Sequence, residues 1–139
     1  MSYLLDTCML VEFAQRKPEM KVIRWINSVD QNELFVSVIS IGEIQRGIIR
    51  LPDSQHRTLL LAWVSRGLVE RLKDHTLPLD TETLVIWGSL TARKNGTGQP
   101  MGTLESLIVA LALRHNMTLV THFAQEYFQS GASVLNPWE

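Results

Sequence analysis

A chain of 139 residues with 45% hydrophobic and 19% charged side chains is long enough for one domain with one core, and too apolar to be disordered. Thirteen basic against fourteen acidic side chains, a net charge of −1, exclude a generic basic coat for nucleic acid, but not an acidic metal pocket offset by basic residues elsewhere. The single cysteine, Cys8, excludes an internal disulfide and a Cys-rich zinc site and suits a reducing compartment.

Asp6 comes too early for a signal peptide, and no apolar run approaches the roughly 20 residues that cross a bilayer. We therefore expect one domain over residues 1–139, cytoplasmic and with no membrane partner. No repeat or linker interrupts the chain.

Tyr3-Leu4-Leu5 reads as a short buried strand. A helix is expected from Thr7 to about Gln15, broken at Arg16-Lys17-Pro18. Pro18 can open the next helix, whose apolar face is Val22, Ile23, Trp25 and Ile26. Leu34–Ser37 is a second strand. Ile41, Ile44, Ile48 and Leu51 recur at helical spacing up to Pro52. Asp53 can cap a long helix to about Lys73, carrying Leu59, Leu60, Trp63, Leu68 and Leu72. Thr76–Leu79 is extended. Asp80 caps a helix that ends in Lys94-Asn95-Gly96, and Thr97–Gly102 is a polar loop. Thr103 opens an apolar helix to His115, with Asn116 as a left-handed cap. Thr118–Thr121 and Ala132–Leu135 are the last strands. Short strands alternating with helices predict an α/β fold, a mostly parallel sheet of four to five strands flanked by helices. In such folds sites form beyond the carboxyl ends of the strands.

Four acids fall at strand-to-helix transitions: Asp6, Glu43, Glu105 and Glu126. Each has an ordinary structural reading. Asp6 can be an N-cap. Ser40-Ile41-Gly42-Glu43 fits a capping box, with Glu43 in the first turn of its helix. Glu105 can complement a helix dipole, worth about 0.3–1 kcal/mol. Glu126 can be a solvated surface acid. Together they carry more, because carboxylates gathered at one sheet edge repel unless a cation neutralises them. A hard divalent ion with oxygen ligands is the usual solution, and it can activate water and clamp a phosphate oxygen. The four histidines show no ligand spacing, Cys8 reads as a packed thiol, and Gly96-Thr97-Gly98 reads as a turn. Arg93-Lys94 could touch RNA phosphate, though a solvated helix end is the commoner meaning.

Leu4-Leu5-Asp6-Thr7, Ser40-Ile41-Gly42-Glu43-Ile44 with Arg46-Gly47, Gly98 to Ile108, Leu119-Val120-Thr121 and Leu135-Asn136-Pro137-Trp138 stand in the order and spacing of a known family. The chain resembles PIN-domain toxins of the VapC/FitB type from Leu4 to Glu139. The resemblance implies a PIN fold and Mg²⁺- or Mn²⁺-dependent RNA hydrolysis. It also implies pairing with a small antitoxin, through which operator DNA is reached. It places Asp6, Glu43 and Glu105 at metal-binding positions, with Thr7 a supporting hydroxyl and Glu126 completing the pocket through a water.

The chain departs from the family pattern at Cys8 (usually Asn), Glu105 (usually Asp), His122-Phe123 (commonly Arg-Asn) and Glu126 (usually Asp). These departures define the alternative, a PIN-fold binding module with a weakened site that acts through its antitoxin. A phosphorylation receiver is the third reading, and it lacks the adjacent acids and the late Lys that class wants. Helices rich in Leu10, Phe13, Trp25, Leu60 and Trp63 are expected to be core or, in part, a groove for an antitoxin segment and a homodimer interface.

Overall fold

The computed structural model describes residues 1–92 and 101–139. The expected Lys94-Asn95-Gly96 helix end, the contacts of Arg93-Lys94 and most of the Thr97–Gly102 loop lie outside the described residues.

Five strands form one sheet: β1 (Tyr3–Leu5), β2 (Leu34–Ser37), β3 (Thr76–Leu77), β4 (Thr118–Val120) and β5 (Val134–Leu135). Their order is β3-β2-β1-β4-β5 and every described pairing is parallel, as the strand–helix alternation predicts. The chain runs outward from β1 to β3 on one side and then restarts at β4 on the other. A crevice therefore opens between β1 and β4 at their carboxyl ends, where α/β folds place ligands.

Alternation along the strands feeds two cores. Leu4 and Leu119, with Phe35, face one side, where they meet Ile108, Val109, Leu111, Ala112 and Tyr127. Leu5, Val36 and Val120 face the other and meet Met9, Leu10, Val22, Ile44, Ile48, Val64 and Leu68. Helices α1 (Thr7–Phe13), α2 (Met20–Ser28), α3 (Val38–Ile49) and α4 (Gln55–Ala62) supply most of the second core. Helices α5 (Thr81–Ala92), α6 (Thr103–Arg114) and α7 (Ala124–Tyr127) cover the first.

Several boundaries differ from the sequence reading. Helix α2 starts at Met20 with Glu19 as its N-cap, so Pro18 precedes the helix. Ser54, not Asp53, caps α4, its hydroxyl accepting the Arg57 N–H at 3.1 Å. The expected single long helix is α-helical only to Ala62 and continues as a π-helix over Trp63–Glu70. Within it the Trp63 indole lies over Gly67, where a Cβ would stand 3.0 Å from the ring. Asn116 takes the left-handed conformation expected of it, at φ +54°. Met117 N–H bonds back to Ala112 O at 2.9 Å and Asn116 N–H to Leu113 O at 3.3 Å, the paired bonds of a Schellman cap.

Leu10, Phe13, Trp25, Leu60 and Trp63 all lie in or against the second core and line no described groove. The large apolar side chains left facing solvent are others, among them Ile49, Leu59, Val69 and Val85. No helix among the described residues is long and apolar enough to cross a membrane.

Candidate metal centre

Asp6 is the first residue beyond β1. Its backbone N–H continues the ladder to Val120 O at 3.0 Å, which fixes the side chain at the β1–β4 crevice. Its carboxylate is buried and held at both oxygens. Oδ1 accepts the Thr7 N–H at 2.8 Å, capping α1, and Oδ2 accepts the Thr121 hydroxyl at 2.8 Å. Burial pushes the Asp6 carboxyl above its ordinary value. The bonds from Thr121 and Thr7 oppose the shift, and the charges of Glu43 and Glu105 add to it. The N-cap reading is thus true of one oxygen only.

Glu43 does not close a capping box. Ser37 is the N-cap of α3, its hydroxyl accepting the Ser40 N–H at 3.1 Å, so Ser40 is already the third helical residue. Glu43 falls in the second turn, too far along to reach the orphan amides at the N-terminus. Its Oε1 instead lies 2.8 Å from Thr7 Oγ1, which is also 2.8 Å from Ser40 Oγ, itself 3.3 Å from Ser37 Oγ. A carboxylate can only accept and each hydroxyl has one proton. The assignment that satisfies every member runs Ser37 to Ser40 to Thr7 to Glu43. The Ser40 and Thr7 hydroxyls exist, on this geometry, to aim Glu43 into the crevice.

Glu105 occupies the first turn of α6, as expected, with Gly102 as the N-cap. Its carboxylate folds back over Gly102, and a Cβ at that position would collide with Oε2. The missing side chain makes room for the longer Glu. Glu126 is exposed on the short helix α7. Among the described residues, neither Glu105 nor Glu126 accepts a hydrogen bond.

All four acids line one cavity of about 1240 Å³ together with Thr7, Cys8, Glu12, Tyr127 and the rings of His122, Phe123, Phe128 and Trp138. That exceeds the roughly 300–1,000 Å³ of a small-molecule pocket and suits a polymer lying across the surface. Cys8, half-buried, is kept a neutral thiol by burial. Its Sγ accepts the His122 N–H at 3.4 Å and lies 3.7 Å from Thr121 Oγ1. The thiol therefore braces the same loop that holds Asp6, rather than serving as a nucleophile.

Tyr127 was not singled out from sequence, where it looks like one more core aromatic. Its ring is buried against the first core, yet burial and the charges of Asp6, Glu105 and Glu126 push its phenol well above the usual range. It stays a neutral O–H at the cavity wall. Only the placement of α7 beside β5 at the rim of the cavity reveals this.

The donor set is all oxygen, and the Asp6 carboxyl is raised partly by Glu43 and Glu105. Crowded hard donors of that kind fit a divalent cation such as Mg²⁺ or Mn²⁺. Among the described residues, no group of three acid, His or Cys side chains stands close enough together to hold a metal ion as placed.

The family description PIN domain matches residues 3–127. The plasmid stability protein StbB of Pseudomonas syringae pv. tomato is 27% identical over 136 residues, covering 98% of each chain. The VapC ribonuclease Y4jK of Sinorhizobium fredii is 25% identical, covering 98% of this chain and 97% of its own length. A chain of the FitAB structure bound to a DNA fragment superposes with a TM-score of 0.91 at 23% identity, covering 99% of this chain and 96% of that one. The FitAcB structure from Neisseria gonorrhoeae gives the same score.

Proposed function

The chain belongs to the PIN domain family, and from that premise we propose that it is a metal-dependent endoribonuclease, the toxin of a toxin–antitoxin pair. The observation that carries the reading is the convergence of Asp6, Glu43, Glu105 and Glu126 on one cavity at the β1–β4 switch point. The VapC ribonuclease likeness supports the same reaction class.

Asp6, Glu43 and Glu105 would hold Mg²⁺ or Mn²⁺ directly or through water, and Glu126 would complete the pocket through a water. The cation, when bound, neutralises these acids and supplies charge stabilisation and water activation at the phosphodiester. The chain's own contribution is placement. Thr121 and Thr7 fix both Asp6 oxygens, and the Thr7 hydroxyl holds Glu43 pointed inward. Such supporting bonds are commonly worth 10–100-fold in metal affinity. Tyr127 keeps its proton and can donate to an anionic oxygen at the wall.

The partner would be a small antitoxin, with operator DNA reached only through it, as the DNA-bound FitAB assembly suggests by analogy. Its docking segment would use the apolar groove between α3 and the end of α4 with the π-helix that follows it, lined by Ile41, Ile49, Leu61, Val64 and Val69. Exposed Leu84 and Val85 on α5 would suit pairing with a second copy.

Calorimetric Mn²⁺ titration of wild type and Asp6→Ala tests the centre, alongside RNA cleavage with and without chelator. Equal Mn²⁺ affinity in the two proteins would remove the proposed site. The alternative, a weakened PIN-fold binding module, is motivated by Phe123 at a pocket position and by the absence of a preformed three-ligand group among the described residues. Expression that arrests growth, relieved by Asp6→Ala, separates catalysis from binding alone.

A further inference from the structure

The acid cavity has an aromatic mouth that the metal chemistry does not use. Phe123 is 45% exposed and Phe128 75% exposed, and neither belongs to a core cluster. Both line the cavity. The His122 ring lies between Phe123 and Trp138, with ring centres 5.6 Å and 4.6 Å away. Apolar rings at the edge of a carboxylate pocket need a reason, since leaving them in water forgoes the burial that would stabilise the fold.

The segments that carry His122, Phe123 and Trp138 are fixed. Phe123 N–H donates to Thr121 Oγ1 at 3.1 Å, and that same hydroxyl holds Asp6. His122 is pinned at its N–H by Cys8 Sγ and at its carbonyl by Asn136 Nδ2 at 3.2 Å. Trp138 N–H is held by Asn136 Oδ1 at 2.9 Å. The rings of His122, Phe123 and Trp138 therefore stand in register with the carboxylates.

Electrostatics narrows the occupant. The described residues lining the cavity include five carboxylates and no Lys or Arg. Away from a bound cation, a phosphate backbone gains nothing from such a wall. A base face does, because stacking on an aromatic ring needs no charge and accepts any base. A paired base keeps its faces inside the duplex, so the partner must be unpaired.

We propose that Phe123 and Phe128, with the His122 ring backed by Trp138, form a stacking platform for an unpaired nucleobase of single-stranded RNA beside the carboxylates. This rests on the ribonuclease reading and names the residues of this chain that would position a base beside the site.

The test is equilibrium binding of a short single-stranded RNA carrying one fluorescent adenine analogue, with Ca²⁺ supplied, to the full chain. Wild type should quench the probe. The Phe123→Ala, Phe128→Ala double variant should bind about tenfold more weakly or worse and lose the quench. Phe123→Tyr should restore both and Phe123→Leu should not. An unchanged Mn²⁺ affinity would show that the variants fold. A double variant that keeps wild-type affinity and quench, while wild type still cleaves RNA with Mn²⁺, overturns the platform and leaves the nuclease standing. A duplex that competes as well as single strand also overturns it. So does a double variant that loses only a protein partner. A wild-type chain that neither binds nor cleaves RNA removes both readings.

Discussion

The two walls of the acid cavity are built differently. On the β1 side Asp6 and Glu43 accept hydrogen bonds from Thr7, and Asp6 also from Thr121, with Ser37 and Ser40 behind them. On the α6–α7 side Glu105 lies over a glycine and Glu126 stands exposed, with no hydrogen bond to either among the described residues. Asp6 and Glu43 match the family pattern, whereas Glu105, Phe123 and Glu126 depart from it. The contrast teaches where change is tolerated: a carboxylate fixed at both oxygens cannot be lengthened, while one that folds over an empty Cβ position can.

The strongest way to break this contrast is at Asp6. Asp6→Asn should lower RNA cleavage at least about 10²-fold, as expected when a placed group is lost. It should also raise the melting temperature of the metal-free protein, because burial penalises the Asp6 charge. Activity within tenfold of wild type in a fluorogenic cleavage assay would end the claim for the fixed wall.

Thr7→Val comes next. It deletes the donor to Glu43 and should weaken Mn²⁺ binding by about 10–100-fold, with Thr7→Ser restoring it. Calorimetry decides the matter, and a wild-type affinity in Thr7→Val would mean that Glu43 needs no aiming.

The adjustable wall should respond less. Glu105→Asp should change cleavage by less than about tenfold, an order below the misplacement penalty expected at the fixed wall. Gly102→Ala should displace the Glu105 carboxylate with a comparably small effect, since only the end of a flexible side chain must move. A collapse of activity in either would place Glu105 on the rigid side of the comparison.

The smallest effect is on pH. Asp6 binds its proton more tightly folded than unfolded, so its contribution favours the metal-free fold at low pH. That contribution fades as pH rises from the unfolded carboxyl value of 3.8 through the raised folded one. Cation binding needs the ionised form, so Mn²⁺ affinity should fall as pH drops through the raised value. Melting curves with and without Mn²⁺ across the acidic range should diverge as pH rises. Parallel curves would detach Asp6 from the cation.

Much of this was readable from residues alone. Tyr3–Leu5 and Leu34–Ser37 announce strands by composition, and Asn116 announces the end of α6 because few residues accept its backbone conformation. Asp6 was legible because it follows a strand directly. The true N-cap of α3 was not, since Ser37 and Ser40 are both good capping residues, Ser40 alone stands three before Glu43, and only the point where β2 gives way to α3 decides between them. Tyr127 was hidden for a related reason: sequence shows a ring that belongs in a core, not which charges will stand beside its hydroxyl.

The wide winding of Trp63–Glu70 gives the chain one place to absorb a change of length. Each turn there holds one residue more than an ordinary helical turn. Losing Gly67 can therefore be met by tightening the coil, which keeps Leu68 turned toward Val64 and the interior. The same loss inside Thr103–Arg114 has no slack to draw on and swings every later side chain by about 100°. The helix under the acid cavity is thus intolerant of insertion and deletion, while its counterpart across the sheet can change register by rewinding.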